Sequence, residues 1–422
     1  MSLTPAGRKQ LRDGVLYRLW PVLSRLARLY RKTLARHTRV IAIVGTFGKS
    51  TTNRAVCAVL GARPPRSILA NAWSGVAVAV LQGTPSQRHA VIEVGIGAPG
   101  QMELYARMIR PTVTVVTSVG TEHITELGSL ETTRSEKAWM VRDLPVTGVA
   151  ILNGDDANVM WMKGQTRARV ITFGFGASCD VRAEDVRLDW PRGTRFRVSA
   201  FGQIREARVR LVGRHMIYTA LAAIAVSDVE GVALDEALLR LETLPPTPGR
   251  MDPVFLPNGA IVLRDEYKSA QETIDAALDA LREIPARRRM ILLGNVSEPQ
   301  GTEESVCKMF GGRVAGIASH MIIVGDGLQH YRSGATRAGM PSHAVIDGGE
   351  TPLQTAEALA RILQAGDVVL VKGRRNQRLD RVRMILQGRR VKCDIPFCDI
   401  RTIDCEDCPM LETGWAKHRV IM

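Results

Sequence analysis

Residues Ile41 to Thr52 read Ile-Ala-Ile-Val-Gly-Thr-Phe-Gly-Lys-Ser-Thr-Thr: an apolar run, a two-glycine turn carrying Lys49 and Ser50, and the start of a helical stretch. A buried strand that hands over to a helix through such a turn points to an α/β fold with a parallel sheet. It also aims backbone N–H groups, the positive end of a helix dipole and an ammonium at one place. That is the arrangement that cradles a triphosphate, and a serine hydroxyl at the helix start can reach Mg²⁺. The usual loop is G-x-x-x-x-G-K-[ST], whereas Gly45 and Gly48 enclose only Thr46 and Phe47, so this is a short form.

The apolar runs Val40 to Val44, Ala90 to Val94, Val113 to Thr117 and Val149 to Leu152 are expected to be buried parallel strands. Between about Asp180 and Leu211 the pattern shortens and alternates, which predicts a small antiparallel patch before a helix from Gly213 to about Val229. Leu244-Pro-Pro-Thr-Pro-Gly249 is the candidate linker. A second α/β unit follows, with strands at Ala260 to Leu263, Met290 to Leu293, Met321 to Val324 and Val368 to Val371, and helices such as Ala270 to Ile284 and Thr351 to Leu363. The expected organisation is a leader (1–39), a central P-loop ATPase domain (40–243), a linker (244–250), a Rossmann-like C-terminal domain (251–388) and a cysteine-rich tail (389–422).

The net charge of +15 is concentrated at the start: the first 40 residues hold ten basic side chains against Asp13 alone. In the same segment Leu11, Val15, Leu19, Val22, Leu26, Tyr30 and Leu34 recur at three- and four-residue spacings, one face of a helix in which Pro21 begins a new piece. Such a basic amphipathic helix suits an anionic membrane surface. A helix docked on its own domain with a solvated arginine face is the alternative. With no long apolar run and no signal peptide, the expected location is cytoplasmic, including the inner face of the membrane. Nucleic acid is not an expected partner, because the leader interleaves leucine and valine rather than aromatics.

Gly45-Thr-Phe-Gly48-Lys49-Ser50-Thr51 resembles the G-T-x-G-K-[ST]-T signature of the Mur ligase family, and further blocks follow in that family's order from Val40 to Arg375. Glu93-Val-Gly-Ile-Gly, then Gly100-Gln-Met-Glu-Leu, is similar to the D-alanyl-D-alanine-adding, MurF-like branch. Gly120-Thr-Glu-His123-Ile-Thr-Glu-Leu-Gly-Ser looks like the family's G-x-x-H-x-x-x-x-G-S segment. Lys137 in Arg134-Ser-Glu-Lys-Ala, Asn153-Gly-Asp155-Asp156, Pro248-Gly-Arg250-Met, Leu263-Arg-Asp265 and Lys372-Gly-Arg-Arg375 match later blocks.

The resemblance implies an ATP-dependent ligase that activates a carboxylate as an acyl phosphate and couples it to an amine in cell-wall or surface-polymer synthesis. It implies ATP on Gly45, Thr46, Gly48, Lys49, Ser50 and Thr51, with Asn153, Asp265 and Lys372. It also implies Mg²⁺ on Ser50, Glu93, His123 and a carbamylated Lys137, and catalytic roles for Lys49, His123, Lys137 and Arg250. A satisfied loop histidine, a helix-surface lysine and a capping aspartate are the plainer alternatives for His123, Lys137 and the Asp155-Asp156 pair. Met216, Thr219 and Lys268 stand where the family has asparagines, and residues 1–39 are fewer than its UDP-sugar domain needs. A different carboxylate, or a protein partner, is the expected consequence. The competing reading is a nucleotide-binding, membrane-associated assembly subunit with little ligase activity.

Cys57, Cys179 and Cys307 are scattered, as reduced thiols are. Cys393, Cys398, Cys405 and Cys408 form C-x4-C-x6-C-x2-C, a set able to bind Zn²⁺; an iron–sulfur cluster or a redox role uses the same ligands.

Overall fold

A computed structural model describes residues 11, 14–63, 71–122, 124–400 and 403–415. Two units meet in sequence between Pro245 and Pro246.

The N-terminal unit is built on an eight-stranded sheet of order β2-β1-β3-β4-β5-β6-β7-β8. Its strands are β1 (Arg39–Val44), β2 (His89–Glu93), β3 (Val113–Val116), β4 (Val149–Asn153), β5 (Arg169–Gly174), β6 (Val181–Asp189), β7 (Gly193–Ala200) and β8 (Gln203–Val209). β1 lies between β2 and β3, so both its edges are paired, and from Val40 to Val44 it is buried on both faces. This is why Val40 through Val44 can be apolar without interruption. The first six strands are parallel and the last three pair antiparallel. The antiparallel patch is no separate layer, because Phe173 and Gly174 of β5 pair with Val181 and Arg182 of β6 and make it an extension of the same sheet. β5 itself was not apparent from the sequence: Arg169 at its start is exposed and breaks the apolar run.

The helices used below are α1 (Trp20–Lys32), α2 (Lys49–Leu60), α3 (Ser74–Leu81), α4 (Gln101–Ile109), α5 (Leu130–Lys137), α6 (Ile217–Val229) and α7 (Leu234–Thr243). α6 is apolar nearly all round and packs on α2. α5 is capped by Ser129, whose hydroxyl accepts the N–H of Thr132 at 3.1 Å.

The leader helix docks one face on its own domain. Trp20, Leu23, Ala27 and Tyr30 pack into the core beside α3 and α4, and the Trp20 ring stands edge-on to Trp73 and Tyr105. Arg31, buried, donates Nε to the carbonyl of Ile109 at 2.9 Å and Nη2 to that of Arg110 at 3.3 Å, satisfying the unpaired C-terminal carbonyls of α4. The stripe expected from the spacing is a different one: Val15, Leu19, Val22, Leu26 and Leu34 face outward, together with Leu29. Among the described residues no helix is long and apolar enough to cross a membrane.

The C-terminal unit has a six-stranded sheet of order β13-β12-β11-β14-β10-β9, parallel except for the β9–β10 pair. Its strands are β9 (Asp252–Phe255), β10 (Ile261–Asp265), β11 (Arg289–Leu293), β12 (His320–Ile323), β13 (Val345–Asp347) and β14 (Val368–Lys372). The helices are α8 (Gln271–Glu283), α9 (Glu303–Ala315), α10 (Leu328–Arg337), α11 (Pro352–Ala360) and α12 (Asp380–Leu386). β13 is three residues long and β9 is an edge strand, too little apolar sequence to announce either. Residues 389–415 beyond α12 contain no strand among the described residues.

Candidate functional site

In the N-terminal unit the turn from β1 into α2 is shaped by two glycines. Gly45 sits at φ +145°, and a Cβ there would lie 2.0 Å from Oγ1 of Thr117 on the neighbouring strand end. Gly48, at φ +81°, starts α2 in the left-handed region that side chains other than glycine avoid. Between them the loop is anchored by hydrogen bonds. The N–H of Thr46 donates to the carbonyl of Ser118 at 2.8 Å, that of Phe47 donates to Oγ of Ser118 at 2.9 Å, and Oγ1 of Thr117 donates to the carbonyl of Phe47 at 2.5 Å. Thr117 and Ser118 were missed by the sequence reading. Strand register supplies them: Val44 is opposite Val116, so the residues that follow each strand meet.

Nζ of Lys49 is buried and donates to the loop's own carbonyls, Gly45 at 2.9 Å and Thr46 at 3.1 Å. Ser50 follows in the first turn of α2, where the helix dipole favours anions. The hydroxyl of Thr46 accepts two donors, the N–H of Gly120 and Nζ of Lys137, both at 2.8 Å. Lys137 is only 2% exposed. It is therefore no surface lysine: the end of α5 delivers its ammonium against the loop.

Ile43 pairs with Glu93, which puts that carboxylate at the same C-terminal edge of the sheet, beside the strand that enters the loop. Open α/β sheets place ligands at this edge. Nδ2 of Asn71 donates to Oε1 of Glu93 at 2.5 Å, and among the described residues Oε2 has no such donor. Mg²⁺ keeps several waters and needs one or two carboxylates besides substrate phosphates, so Glu93 with Ser50 fits its demands. His123 lies outside the described residues.

Asn153, buried at the end of β4, donates to the carbonyl of Thr117 at 2.9 Å and so props the strand end behind the loop. Of the two aspartates, Asp156 is the cap: its Oδ1 accepts the N–H of Asn158 at 2.9 Å and of Val159 at 3.1 Å, and Oδ2 that of Val119 at 2.8 Å. Asp155 instead accepts the N–H groups of Phe175 and Gly176 and the hydroxyl of Tyr218 at 2.9 Å. It thereby gathers an aromatic group in which Phe175 stands edge-on to Tyr218 at 4.8 Å and carries the Arg214 guanidinium 3.9 Å above it. No sequence signal marked this group. Met216 and Thr219, the departures from the family pattern, are buried, and Oγ1 of Thr219 is turned back onto the carbonyl of Met216 at 2.7 Å.

In the C-terminal unit Asp265 and Lys372 are register partners at the ends of β10 and β14, and their side chains pair at 2.6 Å. Both are buried, and burial lowers the Lys372 ammonium from its ordinary value. These two hold the sheet edge together from within. The groups stacked on that edge are Arg250 and Arg375, each about 4.5 Å from the Tyr267 ring centre, at 4.5 and 4.6 Å. Tyr267 went unremarked in the sequence because an isolated aromatic carries no pattern.

Cys393, Cys398, Cys405 and Cys408 are all free thiols around one cavity in the tail. The closure on a single Zn²⁺ expected from their spacing is not found. Among the described residues no three His, Cys, Asp or Glu side chains are placed to hold one metal ion. A tetrahedral site with bonds of 2.3 Å needs sulfurs only about 3.8 Å apart.

The description "Mur ligase middle domain" matches residues 43–227, and "Mur ligase, glutamate ligase domain" matches residues 249–375. The UDP-N-acetylmuramoyl-tripeptide–D-alanyl-D-alanine ligase of Escherichia coli (strain K12) is 29% identical over 356 residues, covering 83% of this chain and 77% of the relative. The enzyme of the same name from Mycobacterium tuberculosis (strain CDC 1551 / Oshkosh) is 30% identical over 386 residues, covering 83% and 74%. Among solved structures, MurF from Acinetobacter baumannii superposes with a TM-score of 0.78 at 21% identity, over 88% of this chain and 81% of that one. MurF ligase from Thermotoga maritima in complex with ADP gives 0.73 at 19% identity, over 87% and 83%. At those identities the superpositions speak for the fold alone. The two domain matches and the sequence relatives together place this chain in the Mur ligase family, the ATP-dependent ligases that form amide bonds.

Proposed function

We propose that this protein couples D-alanyl-D-alanine, or a closely similar amine, to a peptide carboxylate through an acyl phosphate. The observation that carries the reading is the buried Lys137 ammonium hydrogen-bonded to Thr46 of the phosphate loop, at the edge that also holds Glu93. A surface accessory subunit has no need of a lysine buried there. The names of the sequence relatives support the dipeptide as the amine.

In the proposed reaction a carboxylate oxygen of the substrate takes the γ-phosphoryl group of ATP and ADP leaves. The amine nitrogen then attacks the acyl carbon, loses its proton, and phosphate departs with the oxygen. Lys49 and the start of α2 offset the charge on the phosphoryl oxygens, and Thr46, Gly48 and Thr51 shape the pocket around them. Ser50, Glu93, His123 and, once carbamylated, Lys137 would hold Mg²⁺, which would supply further charge neutralisation. Arg250 adds a planar, permanently charged donor fork. Asp265 and Lys372 support the strand ends from which Arg250 and Arg375 are presented.

The outward stripe of α1 is proposed to rest on an anionic membrane surface. From Gly14 to Arg36 the chain has no acidic residue, so the flanks of the stripe are uniformly cationic and repel a second copy of themselves.

The test is ADP release with Mg²⁺, a pool of peptide carboxylates and D-alanyl-D-alanine, beside a Lys49→Ala control. Release that requires both co-substrates and vanishes in the control supports the reading. Release driven by glutamate and not by the dipeptide overturns the amine assignment.

A further inference from the structure

The chain beyond α12 folds back on the turn that follows β14. The N–H of Cys398 donates to the carbonyl of Asn376 at 2.7 Å, the N–H of Cys393 donates to that of Leu411 at 3.0 Å, and the Arg378 guanidinium donates to that of Ile400. These bonds enclose a cavity lined by Cys393, Cys398, Cys405 and Cys408, by Arg378 and Arg381, and otherwise by apolar side chains. Three of these features together are hard to explain as packing.

The first is two buried guanidiniums in one apolar pocket. Arg381 is 0% exposed and Arg378 5%. Among the described residues Arg381 pairs with no carboxylate; it donates to the carbonyls of Cys393 at 2.7 Å, Ile395 at 2.6 Å, Arg378 at 3.3 Å and Gln377 at 3.5 Å, and its Nη1 is 3.3 Å from Sγ of Cys393. Arg378 reaches a carboxylate only at the limit of an ion pair, Asp404 at 4.0 Å. A buried cation without an anion is costly, so the cavity calls for negative charge. The second is that, among the described residues, the only groups lining it that can become anions are four thiols. The third is that all four thiols line this one cavity although, among the described residues, no three of them are placed to hold a single metal ion.

We propose that Cys393, Cys398, Cys405 and Cys408 hold an iron–sulfur cluster whose charge is offset by Arg378 and Arg381. Four thiolates around an oxidised cluster core of charge +2 leave a dianion, the balance of two guanidiniums. Buried hydrogen-bond donors beside cluster sulfur are a recognised means of tuning such a centre, and Nη1 of Arg381 is already placed at Cys393. The cluster fixes the turn 373–378 through Asn376 and Arg378, and with it Arg375, which stacks on Tyr267.

The experiment is anaerobic purification of the full chain, with iron, acid-labile sulfide and zinc measured per protein together with the visible absorption spectrum. Iron and sulfide in equal number, with thiolate-to-iron absorption that bleaches in air, is the expected result. Cys405→Ser should lose both, while Cys57→Ser, outside the cavity, keeps them. Because Cys405→Ser can fail to fold, a second measurement uses the unaltered protein: alkylation before and after bleaching. Cys393, Cys398, Cys405 and Cys408 should be protected before and labelled after. One zinc per chain without sulfide, or four thiols that label freely in the anaerobic protein, overturns the cluster.

Discussion

The ammonium of Lys137 donates to the hydroxyl of Thr46 at 2.8 Å, joining the end of α5 to a phosphate loop 91 residues earlier in the chain. The same hydroxyl accepts the N–H of Gly120, so one threonine fastens three segments of the site. A hydrogen bond to a charged group contributes about 1.5–3 kcal/mol. Thr46→Val should therefore lower unfolding stability by about 2 kcal/mol, measured by denaturant titration. Lys137→Ala should reduce ADP release by about 10²–10³-fold, the scale of losing one group that stabilises developing charge. Unchanged turnover in Lys137→Ala would remove the lysine from the chemistry.

Gly45→Ala tests the shape of the loop. The added Cβ meets Thr117 Oγ1 at 2.0 Å, and the φ of +145° is one that alanine rarely adopts. Strain of this kind costs about 1–3 kcal/mol. The variant should lose ATP binding in a calorimetric titration while Gly164→Ala, whose backbone lies outside the left-handed region and whose added Cβ has nothing within 4 Å, retains it.

Acid sensitivity should trace to His89. Its Nε2 lies 3.1 Å from Oε2 of Glu230, which also accepts Nε of Arg39 at 2.6 Å, yet burial outweighs the carboxylate and lowers the imidazole below its ordinary 6.5. As the pH falls below 6.5 the unfolded chain takes up this proton before the folded one does, so acid favours unfolding. The contribution is fully present above pH 6.5 and is lost below it, with a slope of at most about 1.4 kcal/mol per pH unit. In His89→Asn the fall in stability between pH 7 and pH 5.5 should be shallower, as read from melting curves.

Membrane contact through α1 can be checked without disturbing the fold. Leu26 is 49% exposed and Val22 53%, so Leu26→Glu and Val22→Glu should leave the melting temperature unchanged. Both should weaken co-sedimentation with anionic vesicles, and added salt should weaken the unaltered protein as well, since each cation near the surface contributes about 1 kcal/mol that salt screens. Equal binding to neutral vesicles would sink the proposal.

The sequence by itself determined the local elements whose residues carry their own instructions. The apolar run before Gly45 reads as a covered strand, the Gly45–Ser50 turn reads as a short phosphate loop, and the alternation of strands and helices points to parallel sheets. It also marked the residues with motif spacing, among them Glu93, Lys137, Asn153 and Arg250. Tertiary structure decided what depends on register and on neighbours distant in the chain. Strand pairing, not proximity in sequence, brings Thr117 and Ser118 to the loop, and the end of a separate helix brings Lys137 to Thr46. The aromatic group of Phe175 and Tyr218 exists because Asp155 ties a loop to a helix. Which face of α1 docks was equally beyond the sequence. Both its stripes are apolar, and only the shape of α3 and α4 beneath them selects Trp20, Leu23 and Ala27 over Leu19, Val22 and Leu26. The cysteines counted as four ligands in sequence, and only folding showed that they share their cavity with two buried arginines.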